Sequence, residues 1–395
     1  MLHRFAFSNF QSFKDRTEVS LVLDKRVPDT GWSRTCDTGQ RVSTATAVIG
    51  ANASGKTSVL KAIAFIHSFV SHSFNLKPDD PLPYAAHLGS LENEPSEFEM
   101  ELDFNGKHWL YRLRTTPRQV LHESLYVKRE RMGYVFVRDW NPSSETYDIK
   151  QHDFGFLPSE ARKVKPNASL ISTAAQYGVA LAKELASRPI GGNIWTRGRR
   201  AVDEFALGNA AMYFAEQLGS EWEMGRLLSS WDFGLAHVLL REQKQALPDG
   251  TYRDVWLPFG QHKTKNGSTF ELPFLQESSG TQSAFVLLAQ IFPALEHGGL
   301  AVIDEFENDL HPHMLEPILN LFASETTNPR KAQLLFTCHA VQVLNVLHKS
   351  QVMLIEKNEH NESSAWRLDS VEGVRSDDNF YAKYMAGAYG AVPQL

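Results

Sequence analysis

The stretch STATAVIGANASGKTSVL, Ser43 to Leu60, limits the fold more than any other part of the chain. Its centre, GANASGKT from Gly50 to Thr57, has the spacing G-x-x-x-x-G-K-[ST]. A short apolar run, Ser43 to Gly50, precedes it, and a segment with helical spacing, Lys56 to Phe74, follows it. Strand, glycine loop and helix are the order in which backbone N–H groups can turn onto phosphate oxygens, with the helix dipole behind them. An α/β fold with a buried parallel sheet is expected. In such a loop Lys56 would reach the β- and γ-phosphates, and Thr57 would offer its hydroxyl to Mg²⁺. Gly50, Asn52, Ser54, Gly55 and Ser58 would complete the cradle for ATP.

Two later apolar runs fit the same sheet. LAVIDEF, Leu300 to Phe306, ends in two acids, Asp304 and Glu305. A buried strand ending there puts both carboxylates at the sheet's C-terminal edge, where open α/β sheets bind ligands. Asp304 would hold Mg²⁺ with Thr57, and Glu305 would orient and deprotonate a water. LFTCHA, Leu335 to Ala340, carries His339 just past a strand that would lie next along the sheet. A neutral imidazole there could hydrogen-bond a γ-phosphate or the water. Between the loop and these runs, LQESSGTQSAF (Leu275 to Phe285) sets serines, a glycine and a threonine at a helix start. Ser278 or Ser279 would cap the helix. The same N-terminus, with Ser279 and the close-approaching Gly280, could also cover a γ-phosphate from across a dimer.

The rest of the chain supplies the frame. RFAFSNFQSFKDRTEVSLVL reads as strand, turn, strand; the run around Asn105-Gly106 reads as a hairpin, and ESLYVKRERMGYVFVRDW continues the β pattern. From about Ser159 to Ala246 the pattern turns helical, through SEWEMGRLLSSWDFGLAHVLLREQ. The expected organisation is a discontinuous head, 1–158 and 247–395, with a helical insertion lobe at 159–246.

Charge and cysteines exclude several classes. With 395 residues, 42% apolar residues and a net charge of −6, the chain can bury a large core and is no basic nucleic-acid coat. WTRGRR, Trp195 to Arg200, with Lys163 and Lys165 upstream, is the one notable basic cluster, and it could touch nucleic acid or an acidic partner. The two cysteines, Cys36 and Cys338, form no C-x-x-C, which argues against a zinc hook, a zinc ribbon or a disulfide scaffold. His311 and His313 are an i, i+2 pair with no third ligand nearby in sequence. No stretch approaches a membrane span and the start has no long apolar run, so a cytoplasmic protein without membrane contact is expected.

The order of phosphate loop, Ser-Ser-Gly-Thr-Gln, Asp-Glu and a later His resembles the ABC-type ATPase heads of the RecF/SMC/OLD group. SNFQSF near the start is similar to that group's first hairpin, which would place Gln11 beside the nucleotide. The tail FYAKYMAGAYGAVPQL and the stand-alone size look most like the AAA-type ATPases of abortive-infection phage defence, the AbiL/RloA kind. This resemblance implies a P-loop ABC-type head with a RecA-like core, a mixed sheet and an antiparallel β lobe. It implies ATP-driven homo-oligomers with composite sites, in which Ser279 and Gly280 act in trans and Asp309 faces the other subunit. It also implies a separately encoded effector, often nuclease-like. SSGTQ departs from LSGGQ at Thr281, and Gln176 is the candidate for the Q-loop glutamine. A RecF-like repair ATPase acting on DNA remains the alternative, and the ATP-binding subunit of a transporter fits the insertions less well.

Overall fold

A computed structural model describes residues 1–393 except 92, 189, 218, 232 and 247–249. Its centre is a six-stranded sheet in the order Ile190–Gly192, Leu300–Ile303, Gln333–Thr337, Ala45–Gly50, Val352–Lys357, Ser363–Arg367. The first five strands run parallel, and the last is antiparallel to its neighbour. Ala45–Gly50, Leu300–Ile303 and Gln333–Thr337 are buried along their whole lengths, as strands covered on both faces must be. Alternation sorts their side chains. Ala45, Ala47, Ile49, Ala301, Ile303, Leu334 and Phe336 enter one core, while Val48, Leu300, Val302 and Leu335 enter the other.

The second core lies between this sheet and a seven-stranded antiparallel sheet, with the helix Lys56–His72 in the middle. The antiparallel sheet runs Thr146–Gln151, Met132–Asn141, Val120–Lys128, Lys107–Thr115, Ser96–Phe104, Leu2–Ser8, Thr17–Ser20. Asn105 and Gly106 turn its hairpin at φ 49° and 68°, the left-handed pair that matches strand twist. Phe65 packs against Phe98 and Tyr84 with ring centroids 4.8 Å apart. Gln333 stitches the two sheets together. Its Oε1 accepts from the Leu2 N–H at 2.6 Å, and its Nε2 donates to the carbonyls of Leu2 and Ser43.

Inside the antiparallel sheet sits a fully buried charge pair, Arg138 and Glu123, 3.7 Å apart. Arg138 donates to the carbonyls of Ala168, Lys165 and Val164 and stacks over the Tyr147 ring at 3.9 Å. Glu123 accepts from Ser169 Oγ, the Leu170 N–H and Tyr111 Oη. The pair thus ties strands Val120–Lys128 and Met132–Asn141 to the start of the helix Leu170–Gln176.

Residues 159–246, expected as a helical lobe, are shared between both cores. Helices Leu170–Gln176 and Ala180–Ala186 pack on Lys56–His72. Helices Glu204–Glu216 and Ser220–Ser230 pack instead on the helix Ser279–His297 across the sheet, with Phe214 against Phe285 and Phe292. Between the two pairs, Ile190–Gly192 becomes an edge strand of the parallel sheet. A second difference is HVLLREQ, expected as helix. It is part of the strand His237–Ala246, which pairs along its length with Tyr252–Lys263. Most of its residues are exposed, so no buried alternation marks it, and cross-strand pairing outweighs the helix propensity of Arg, Glu, Gln and Lys. No helix among the described residues is long and apolar enough to cross a membrane.

Candidate functional site

The Gly50–Thr57 loop leaves the centre of the parallel sheet and enters the helix at Lys56. Gly55 is its N-cap at φ +113°, a conformation that disfavours any side chain, and no side chain caps the helix there. A Cβ on Gly55 would stand 2.6 Å from Ser363 Oγ and 2.9 Å from Ser12 Oγ. Those hydroxyls brace the loop from behind, since Ser363 Oγ lies 2.6 Å from the Ser54 carbonyl and 2.7 Å from Ser12 Oγ. The first turn of the helix therefore opens on a cleft of about 600 Å³, enough for a nucleotide.

Asn52, Ser54, Gly55, Lys56, Thr57 and Ser58 line this cleft. Asp304, Glu305, His339 and Gln11 face it from other segments. Gly50 ends the strand beneath, and Lys56 Nζ donates to the carbonyls of Gly50 and Ala51 at 2.9 Å. Burial pulls the Lys56 ammonium below the usual lysine range, against the opposing pull of the Asp304, Glu307 and Glu305 carboxylates.

At the mouth, Thr57 Oγ1 lies 3.1 and 3.0 Å from the two oxygens of Asp304. Thr337 Oγ1 donates to Asp304 Oδ1 at 2.7 Å and accepts from the Glu305 N–H at 2.7 Å. One hydroxyl thus fixes both acids at once. Glu305 sits at φ +52°, and its carboxylate is paired with Arg199. Asn193 grips the backbone of Asp304 from the other side, accepting from its N–H at 2.7 Å and donating to its carbonyl at 2.8 Å. Gly192 makes that grip possible. At φ +145°, a Cβ there would stand 2.0 Å from the Val302 carbonyl. The Thr57 hydroxyl and Asp304 carboxylate are hard oxygen donors side by side, a set suited to Mg²⁺ with waters and phosphate completing its shell.

Several members of the site escape a reading of the sequence. Thr337 ends the apolar run LLFT beside the acid-bearing strand, and that position was the available signal. Asn193 and Arg199 lie within the stretch expected to be helical, Ser363 and Lys357 have no local signature, and Ser12 sits beside Gln11 in SNFQSF. Arg199 also changes the reading of WTRGRR. Its guanidinium faces Glu305, and Arg200 stacks over Trp195 at 3.8 Å. Lys163 pairs with Glu160, and Lys165 donates to the carbonyls of Phe74 and Leu76.

Other expected residues lie elsewhere. Ser278 caps the helix Ser279–His297, its Oγ accepting from the Thr281 N–H at 3.2 Å. Ser279 is exposed and, like Gly280, does not line the cleft of its own chain. A Cβ on Gly280 would stand 2.9 Å from the Asp309 carbonyl, and Ser283 Oγ donates to Asp309 Oδ2 at 3.3 Å. The helix start and the Asp309 loop thus form one surface. Gln176 is exposed at the end of its helix and does not line the cleft.

A family model described as "AAA domain, putative AbiEii toxin, Type IV TA system" matches residues 45–345. No curated protein matches. Among solved structures, an SMC head bound to the C-winged helix domain of ScpA is similar at TM-score 0.47 and 11% identity, over 92% of this chain and 96% of that one. The SMC head domain from Thermotoga maritima gives TM-score 0.43 and 12% identity, over 93% and 98% of the two chains. An SMC head with an extended coiled coil, bound to the C-terminal domain of ScpA and derived from Pyrococcus furiosus, gives 0.43 and 10%, over 93% and 96%.

Proposed function

The chain belongs to the AAA-domain family described as putative AbiEii toxin, Type IV TA system, and from that premise we propose that it binds and hydrolyses ATP as an ABC-type ATPase. The observation that carries this reading is the convergence of Thr57, Asp304 and Thr337 at the mouth of the glycine loop, with Lys56 and Glu305 beside them. The loop amides and Lys56 bind the phosphates. Thr57 and Asp304 hold Mg²⁺, which when bound neutralises charge on the phosphate oxygens. Glu305 orients the attacking water and takes its proton, and His339 at the cleft edge contacts the γ-phosphate or the water. Gln11 stands on the base or phosphate side.

Lys56→Ala is expected to weaken Mg-ATP binding at least about tenfold, the loss of a charge-assisted hydrogen bond. Isothermal titration with a non-hydrolysable ATP analogue measures it; unchanged affinity would remove the nucleotide from this loop.

The exposed Ser279 and neighbouring Gly280 support a composite site. In this reading, two heads close on ATP, each offering its Ser279 helix start to the other's γ-phosphate, and hydrolysis loosens the pair. Ser279→Arg should then leave ATP binding intact and stop turnover. A variant that hydrolyses normally would rule out a role in trans.

We place the chain in antiphage defence, where the ATPase senses infection in the cytoplasm and controls a separately encoded effector, nuclease-like in chemistry; the support is the family description, which names a putative toxin of a Type IV TA system. Co-purification of a co-encoded protein with the ATP-loaded chain supports this role. Salt-sensitive, ATP-dependent DNA binding without such a protein would support the RecF-like repair function instead.

A further inference from the structure

Away from the cleft, the amino-terminal strand, the turn after Ser33–Thr35 and the Ser96–Thr115 hairpin meet at a buried point. Each brings a side chain of metal-ligating type. His3, Cys36 and Asp103 are buried, and His108, paired with Asp103 across the hairpin, is 18% exposed. The ligand atoms of His3, Asp103 and His108 all lie within 4.8 Å of one another. His3 Nε2 is 3.2 Å and His108 Nδ1 is 3.1 Å from the same oxygen, Asp103 Oδ1. Cys36 Sγ is 3.4 Å from His3 Nε2.

Three side chains converge on the Asp103 carboxylate: Thr38 Oγ1 donates to Oδ2, and both imidazoles stand within reach of Oδ1. An imidazole nitrogen presents one proton or one lone pair in its plane. His3 Nε2 therefore cannot bond fully to both Asp103 and Cys36, although both stand in range. A central cation takes a lone pair from each group. Tetrahedral zinc, with bonds of about 2.0–2.3 Å, sets neighbouring ligand atoms about 3.3–3.6 Å apart; the His3–Asp103, His108–Asp103 and Cys36–His3 separations come near that, while Cys36 stands outside the group of three whose ligand atoms all lie within 4.8 Å.

The outer groups fit as well. Asp103 Oδ2, the oxygen facing away from the histidines, accepts from Thr38 Oγ1. His108 turns its other nitrogen toward Glu101 Oε2, 3.8 Å away. A donor behind a ligating carboxylate is a usual orienting partner of such a ligand.

We propose that His3, Asp103 and His108 hold a zinc ion, with the adjacent Cys36 thiolate as its fourth ligand, and that this site staples the amino-terminal strand and the 36–40 turn to the antiparallel sheet. Two histidines, a thiolate and a carboxylate suit zinc better than Mg²⁺ or Ca²⁺, which prefer oxygen alone. The site is independent of the ATP reading.

The full chain, purified without chelator, should carry one zinc per chain by elemental analysis. After chelation, added Co²⁺ should give the intense visible bands of a tetrahedral centre and a thiolate-to-cobalt charge-transfer band. The oxygen donors at Thr57 and Asp304 cannot produce that band, so the cleft does not confuse the reading. Cys36→Ser should abolish it, and Cys338→Ser should leave it unchanged. A chain without zinc whose cobalt spectrum shows only weak octahedral bands would overturn the site, as would a thiolate band that depends on Cys338. The zinc content and the cobalt spectrum both come from the wild-type chain, so poor folding of a variant does not blunt them.

Discussion

Glu305→Gln is expected to retain Mg-ATP while turnover falls by at least about a hundredfold, the lower end of what a positioned general base contributes. The substitution preserves shape. Glutamine can keep the backbone N–H bond to Thr337 Oγ1 and the turn at φ +52° that aims the side chain. What it loses is basicity, together with the charge that pairs with Arg199. In the proposed site, Lys56, Thr57 and Asp304 would carry the binding, and the change leaves them alone. Single-turnover hydrolysis with saturating ATP, read beside the mass of the assembly, separates the two effects. Retained nucleotide in a persistent dimer with slow phosphate release is the expected result. Turnover within a few-fold of wild type would move the base elsewhere, with His339, which also lines the cleft, the alternative.

Glu123→Ala should destabilise the chain by about 3–5 kcal/mol, the cost of leaving a buried charge without its partner. Total stability of a domain is about 5–15 kcal/mol, so this one change should lower the urea midpoint steeply. The reason is what remains behind. Arg138 stays fully buried, its positive charge met only by carbonyls and the Tyr147 ring. The Leu170 N–H and Ser169 Oγ lose their acceptor at the helix start. Replacing both charges, as Glu123→Met with Arg138→Leu, should recover part of the loss, because no lone charge is then buried. A single variant as stable as wild type would mean that water reaches this pocket.

Local chemistry made half of the site readable. The glycine loop and the paired acids are each contiguous, and each carries a physical reason for its order. Thr337, Asn193, Arg199 and Ser363 reach the same place from distant segments, and no spacing links them. Asn193 and Arg199 lie between stretches of strong helical pattern, where a three-residue edge strand is too short to interrupt the periodicity. Strand His237–Ala246 was hidden for the opposite reason: it is long, but its polar residues face solvent and carry no alternation. The cluster at His3, Cys36, Asp103 and His108 has no motif because three separate segments of one chain supply it.

The strand that feeds the phosphate loop, Ala45–Gly50, takes its two sheet neighbours from Gln333–Thr337 and Val352–Lys357. On a ribosome the loop is therefore made before either flanking strand and waits for both until Lys357 has emerged. The amino-terminal strand waits as well, first for Ser96–Phe104 and then for Gln333. Such distant pairings slow folding, because chain entropy is lost before the contacts that offset it can form. A nascent chain released before Lys357 would carry every residue of the glycine loop and no complete sheet to hold it.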